Sequence, residues 1–363
     1  MRPLSRKTVA RIDLDAIRQN LDVVKSLAPG SKIAAVVKAD AYGHGLSQVL
    51  PALDKAEILA VATFDGAQRC RDFGWQGRVL VLEGPTRADD CQAALALAFE
   101  MVIHHDSQLA LLRQSSKAAR QPLWLKLDSG MHRLGFPSSR AKDVHGQITE
   151  LSGNEPAVLM SHFACADDPH NPMTQAQISV FENSTKGLAG NVSLANSAAI
   201  LNFPESHRDI VRPGILLYGV SPLEQQPAQD IGLKPAMTLQ CELIAINRVK
   251  KGESIGYGSE YSCPKDMNVG VAAIGYGDGY PRSLKSGSPV LVNDRLASLI
   301  GRVSMDMITI DLSDQPQAQV GDTVTLWGRG LPLEKVAACA GVIPYELLCG
   351  VAARVNTVVE SRA

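Results

Sequence analysis

Apolar residues in the first two thirds of the chain fall into short runs, and longer stretches with helical spacing separate most of them. The runs lie at 33–37, 58–63, 79–82, 100–103, 123–127, 157–161, 192–195 and 210–212, and each reads as a buried strand. A helix precedes the first of them. Ile17, Leu21, Val24 and Ala28 share one face of it, Asp13 or Asp15 can cap it, and Pro29-Gly30 ends it. Strands alternating with helices over about 210 residues predict a (β/α)8 barrel of the TIM type, an α/β fold. A doubly wound sheet is the competing architecture. Its dinucleotide-binding form needs a Gly-x-Gly-x-x-Gly after the first strand, and none stands there.

The pattern changes after a polar, Pro- and Gln-rich stretch at 221–230. Short apolar runs with Gly, Pro and Asp turns follow at 237–250, 269–275, 290–293, 299–303, 307–312 and 323–327, and a short helix is predicted over 333–341. This divides the chain into a barrel over 1–230 and a smaller, mostly-β C-terminal domain over 231–363.

Composition narrows the classes of function. A chain of 363 residues with 45% apolar and 20% charged residues is ordinary for a two-domain soluble enzyme. The net charge is -1 and no basic run occurs, which argues against nucleic acid and against an anionic membrane surface as partners. The start of the chain, residues 1–7, is basic, but no signal-length hydrophobic stretch follows it. Nor is there an apolar run of about 18 residues anywhere. The 7 cysteines are odd in number and include no Cys-x-x-Cys. Reduced thiols in a cytoplasmic protein are the simpler reading than a disulfide framework or a metal site. Cys165, near His162, reads as a small packed thiol rather than a nucleophile.

The most informative chemistry is at Lys38. The apolar residues Ala34-Ala35-Val36-Val37 lead directly into it, and Ala39-Asp40-Ala41-Tyr42-Gly43-His44-Gly45 follow. Burial at a strand end lowers a lysine pKa, and a neutral lysine is a nucleophile suited to forming a Schiff base with a carbonyl. A solvated strand-end lysine is the plain alternative. In a barrel, Lys38 follows the first strand, Arg133 the fifth, His162 the sixth, Asn196 and Ser197 the seventh, and Arg212 the eighth. All would then gather at the C-terminal strand ends, where barrel active sites lie and where phosphates often bind after strands seven and eight.

These residues sit in motifs that resemble those of alanine racemases. The motifs are Val36-Val37-Lys38-Ala39-Asp40-Ala41-Tyr42-Gly43-His44-Gly45, Lys126-Leu127-Asp128-Ser129-Gly130-Met131-His132-Arg133, Ser161-His162-Phe163, Ala195-Asn196-Ser197 and Val211-Arg212-Pro213-Gly214-Ile215. Gly256-Tyr257-Gly258, Gly275-Tyr276-Gly277-Asp278-Gly279-Tyr280 and Gly301-Arg302-Val303-Ser304-Met305-Asp306 complete the series in order over nearly the whole chain.

The resemblance implies a barrel followed by a β domain, a homodimer with shared active sites, pyridoxal 5'-phosphate as cofactor, and alanine as substrate. It also implies D-alanine supply for peptidoglycan, or D-alanine breakdown. By the same resemblance Lys38 carries the cofactor as a Schiff base and serves as one base, and Tyr257 of the other subunit serves as the second. Tyr42, Asn196, Ser197, Gly214 and Ile215 surround the phosphate, and Arg212 meets the pyridine nitrogen. His162 links Tyr257 to Arg212. Arg133 and the Met305 amide hold the substrate carboxylate, and Lys126 matches a lysine that many members carry as a carbamate. Tyr276, Arg282, Arg302 and Asp167 match an entry corridor.

Two positions depart from the pattern: Ser304 stands where some relatives have cysteine, and Ala353 where some have a tyrosine next to Arg354. The second widens the pocket and leaves open a racemase of broader specificity, for serine or basic amino acids. A decarboxylase would place an acid where Arg212 stands. A non-catalytic cofactor-binding barrel would lack Tyr257, Met305 and the β domain.

Overall fold

The computed structural model describes residues 7–114 and 122–361. Residues 1–6 of the basic start lie outside the described residues. Eight parallel strands form one sheet in sequence order: Lys32–Val36, Ile58–Val61, Arg78–Val81, Phe99–Ile103, Leu123–Asp128, Val158–Met160, Val192–Ser193 and Ile210–Val211. The last pairs with the first, Ile210 opposite Lys32. Between the seventh and eighth, the Arg212 amide donates to the Ala195 carbonyl at 2.9 Å, and Asn196 bridges Arg212. The sheet therefore closes, as the alternation of strands and helices predicts.

Strands such as Phe99–Ile103 are buried along their whole length, because both faces of a closed parallel sheet are covered. Charge inside this layer is compensated. The buried Glu100 carboxylate accepts from the Trp124 indole at 2.7 Å and from Arg78 Nη2 at 3.0 Å. The helix Leu14–Leu27 begins where Asp13 accepts from the amides of Asp15 and Ala16, both at 3.0 Å.

The second sheet has eight strands. Its axis is Met237–Val249, which pairs with Thr323–Trp327 near its start and with Met267–Ala272 near its end. The register shifts between Leu243 and Ala245, and this bulge lets one long strand serve two partners. Pro289–Val292, Arg295–Ile300 and Ile308–Asp311 complete the antiparallel part. A small separate hairpin, Ser254–Ile255 with Tyr261–Ser262, carries Tyr257 at its tip.

Two strands of this sheet have no counterpart in the sequence reading. Val9–Asp13, near the start of the chain, pairs antiparallel with Met237–Val249 and parallel with Asn356–Glu360 at the far end. The barrel is thus inserted between the first strand of the sheet and the rest of it. Two helices follow Trp327, Leu333–Ala340 and Pro344–Cys349. The second reaches the barrel mouth and lies against the segment after Lys38: a Cβ on Gly43 would stand 2.1 Å from the Leu348 carbonyl oxygen. Among the described residues, no helix is long and apolar enough to cross a membrane.

Candidate active site

Lys38 leaves the first barrel strand into an unusual backbone. Ala39, Asp40, Ala41 and Tyr42 have φ of 51, 53, 57 and 52°, and Gly43 follows at 75°. This is a full left-handed turn built mostly from residues with a Cβ, a conformation that costs roughly 1–2 kcal/mol per residue relative to the right-handed form. Backbone bonds close it: Ala41 to the Val37 carbonyl and Gly43 to the Ala39 carbonyl, both at 3.0 Å. Outside the turn, Asp40 accepts from the Leu46 amide at 3.0 Å and from Arg69 at 2.6 Å.

Lys38 opens into a cavity of about 370 Å³ at the C-terminal ends of the barrel strands. Tyr42, Lys126, Arg133, His162, Asn196, Ser197, Arg212 and Gly214 line it too. Burial, and then the Arg133 guanidinium, hold the Lys38 ammonium below its ordinary basicity. The Lys126 side chain has no hydrogen bond or ion pair among the described residues, and the residue is 8% exposed. Burial, followed by Arg212 and Arg133, brings its ammonium down to about 8.

Arg212 is fixed from several sides. Its Nη1 donates to Ser193 Oγ at 2.6 Å, and its Nη2 to the carbonyls of Ser161 at 2.8 Å and Leu194 at 3.1 Å. The same Nη2 lies 3.2 Å from His162 Nδ1. Burial lowers Arg212 to about 10, which leaves it charged at neutral pH. The His162 imidazole is held well below its usual pKa by burial and then by Arg212.

At one end of the cavity the backbone is bare and polar. Asn196 caps the helix Ser197–Asn202, accepting from the Ala199 amide at 3.0 Å. Ser197 Oγ accepts from the Gly214 amide at 2.8 Å. A Cβ on Gly214 would stand 2.5 Å from the Tyr42 hydroxyl, so only glycine leaves this end open. Ile215 is fully buried and begins the 3-10 turn Ile215–Tyr218. Hydroxyls, a helix start and a glycine in one corner suit a phosphate. A lysine of depressed basicity on the same cavity suits an aldehyde. The residues present therefore fit pyridoxal 5'-phosphate.

Not every candidate gathers here. Ile215 sits behind Gly214 rather than on the cavity wall. Tyr257 is 73% exposed, on the hairpin tip of the β domain, beside a separate crevice with Arg302 and Ser304. Met305 is 53% exposed. Its carbonyl accepts from the Gly277 amide at 2.9 Å, while its own amide has no partner among the described residues. Of the corridor candidates, Arg302 pairs with Glu260.

Sequence reasoning missed three residues. Tyr345, on the helix Pro344–Cys349, lines the cavity and lies 6.0 Å from the Tyr42 ring. Its only local signal was Pro344, a helix-start residue. Glu83 and Leu82 line the cavity as well, after the third barrel strand. The rule that sites lie after barrel strands could have found them.

A barrel-borne lysine beside a phosphate cradle defines an enzyme that works through pyridoxal phosphate. Comparison with known proteins makes the assignment specific. The alanine racemase N-terminal domain family matches residues 12–222, and the alanine racemase C-terminal domain family matches residues 236–359. An alanine racemase of Nitrosococcus oceani is 48% identical over 353 residues, covering 97% of this chain and 99% of the relative. The crystal structure of biosynthetic alanine racemase from Pseudomonas aeruginosa superimposes with a TM-score of 0.94 at 44% identity, covering 98% of this chain and 99% of that one. Alanine racemase from Bartonella henselae with covalently bound pyridoxal phosphate superimposes with a TM-score of 0.87 at 26% identity, covering 99% of this chain and 100% of that one. The chain belongs to the alanine racemase family, whose members are pyridoxal-phosphate-dependent isomerases.

Proposed function

We propose that this protein interconverts L- and D-alanine, using Lys38 and Tyr257 as bases on opposite faces of the substrate carbon. The observation that carries the reading is the union of Lys38, Arg212 and the Tyr42–Ser197–Gly214 corner on one cavity. When bound there, the cofactor supplies an electron sink that makes the α-proton of an amino acid removable. Lys38 would hold the cofactor covalently, and the corner formed by Tyr42, Asn196, Ser197 and Gly214, with Ile215 behind it, would hold its phosphate.

Each of the chain's own groups then has a task. Arg133 lines the cavity, and its planar fork suits the substrate carboxylate. The Met305 amide offers a further donor to it. Lys38, of lowered basicity, takes or returns the proton on one face. Arg212 stays protonated at neutral pH, so a bound pyridine ring near it would gain no proton from it. Lys126, near 8, has enough neutral amine at physiological pH to take up carbon dioxide as a carbamate. That would replace a cation beside Arg133 with an anion.

Tyr257 is exposed and stands on the β domain, away from the cavity of its own chain. This supports a homodimer in which Tyr257 and Met305 of each subunit complete the other's site. No disulfide joins the cysteines, which agrees with work in the reducing cytoplasm, supplying D-alanine for peptidoglycan or consuming it.

The direct test is chiral analysis of alanine after incubation of L-alanine with purified protein and pyridoxal 5'-phosphate. The expected product is racemic alanine, with serine and lysine turned over far more slowly. Unchanged L-alanine would overturn the reading. Serine or lysine racemised as fast as alanine would replace it with a broader racemase.

A further inference from the structure

The left-handed turn after Lys38 needs something to hold it. Successive residues with a Cβ at φ of 51 to 57° are disfavoured locally, and two glycines, Gly43 and Gly45, relieve only its exit. The carbonyls of such a turn also point away from the positions that a right-handed helix would satisfy. Two of them, those of Ala41 and Tyr42, converge on one atom.

That atom is His44 Nδ1, 3.0 Å from the Ala41 oxygen and 2.9 Å from the Tyr42 oxygen. Both partners only accept, so Nδ1 must carry the proton. His44 is completely buried. Burial pushes its pKa down to about 4, against the two carbonyls that pull the other way. The ring is therefore neutral in the physiological range. Its face stacks on Tyr218 at 4.5 Å between centroids, and the Tyr218 ring in turn meets the Tyr42 ring in a tilted contact at 4.9 Å. The Tyr218 hydroxyl donates to the Val36 carbonyl, two residues before Lys38. One imidazole thus touches the turn through hydrogen bonds and, through Tyr218, both Tyr42 and the strand that delivers Lys38. Its other nitrogen, Nε2, is buried and has no partner among the described residues. The two bonds through Nδ1 are thus all that distinguish this ring from an apolar filler.

We propose that His44 is a positioning residue: its Nδ1–H clamps the left-handed turn and so fixes where Lys38 and Tyr42 meet the cofactor. The inference rests on the reading of Lys38 as the cofactor's lysine. It predicts an order among substitutions that simple space-filling reverses. Asparagine places its amide nitrogen near the position of Nδ1, glutamine places its own near Nε2, and phenylalanine keeps the ring without a donor. A clamp ranks His44→Asn above His44→Gln and His44→Phe. A filler ranks His44→Phe first, because asparagine leaves a void.

The experiment reconstitutes apoenzyme of each variant with pyridoxal 5'-phosphate, following the absorbance of the lysine-bound cofactor. It adds racemisation kinetics and thermal unfolding of the apo form. Expected for His44→Phe and His44→Gln is a loss of about tenfold or more in cofactor affinity, with kcat falling more than KM rises. Expected for His44→Asn is recovery of most of both. If His44→Phe does not fold, the Asn and Gln variants decide alone. Asparagine no better than glutamine, or phenylalanine equal to the wild type, would overturn the clamp. Failure of the wild-type protein to bind the cofactor at Lys38 would instead overturn the assignment on which the clamp rests.

Discussion

Arg212 Nη2 and His162 Nδ1 lie 3.2 Å apart, and the relationship fixes a proton elsewhere. Arg212 can only donate, so His162 Nδ1 accepts and the ring proton must sit on Nε2. Burial and Arg212 also keep the ring from charging. His162 is then a neutral donor at Nε2, able to hydrogen-bond an acceptor in the cavity without adding a cation to the site. Nitrogen-15 NMR of labelled protein should show His162 protonated at Nε2 and silent to titration across the neutral range. A His162 resonance titrating near pH 6.5 would sink this account.

Lys38 should carry the cofactor. Borohydride treatment of the loaded protein followed by peptide mass spectrometry should place the label on Lys38, and Lys38→Ala should lose the visible absorbance. Label on Lys126 instead, the other lysine of the cavity, would transfer the role.

Lys126 should make stability depend on pH in a defined direction. Its folded pKa is about 8 against an ordinary 10.5, with burial the main cause. Between those values the unfolded chain binds the proton that the folded one has released, so stability rises with pH across that window. Below it both states are protonated and the cost is full, up to about 3 kcal/mol. In buffer free of carbon dioxide, Lys126→Met should therefore be more stable than wild type at neutral pH, and the gap should close as pH rises from about 8 to 10.5. Bicarbonate should stabilise the wild type and not Lys126→Met. Parallel stability curves for the two proteins would show that Lys126 is not strained as an ammonium.

The distance of Tyr257 from its own cavity can be tested by mixing subunits. Lys38→Ala and Tyr257→Phe are each expected to lose about 100- to 10,000-fold in rate, as loss of an acid–base group does. Heterodimers of the two should regain activity, because one of their two sites carries both intact residues. Heterodimers that form and stay inactive would place both bases within a single chain.

Much of this was legible in the sequence because barrel strands are buried on both faces and stand out as unbroken apolar runs. The run predicted at 123–127 is found at Leu123–Asp128, and that at 58–63 at Ile58–Val61. Lys38 was legible too, since an apolar run ending in lysine is uncommon and the residues beyond it are distinctive. What stayed hidden depends on contacts distant in sequence. Val9–Asp13 alternates buried and half-exposed positions, but its strand exists only through partners at Met237–Val249 and Asn356–Glu360. The left-handed turn is invisible to propensity because Ala39, Asp40 and Ala41 favour a right-handed helix or a loop. It is revealed only when His44 and Leu348 are seen against it. Tyr345 reaches the site from the far end of the chain, and no local pattern announces that.

The pairing of Val9–Asp13 with Asn356–Glu360 has a consequence for how the chain is made. Arg11 and Glu360, ion-paired at 3.1 Å, are 349 residues apart in sequence. On a ribosome Val9–Asp13 emerges before the barrel, and Arg11 waits for Glu360, 349 residues later, before its parallel neighbour exists. The barrel has all its strands long before that, so vectorial synthesis favours its closing first, with an edge of the later sheet still bare. A product cut short before the helix Pro344–Cys349 would carry a closed barrel whose cavity lacks Tyr345, on an unfinished platform. It would also expose strand backbone able to pair with other chains.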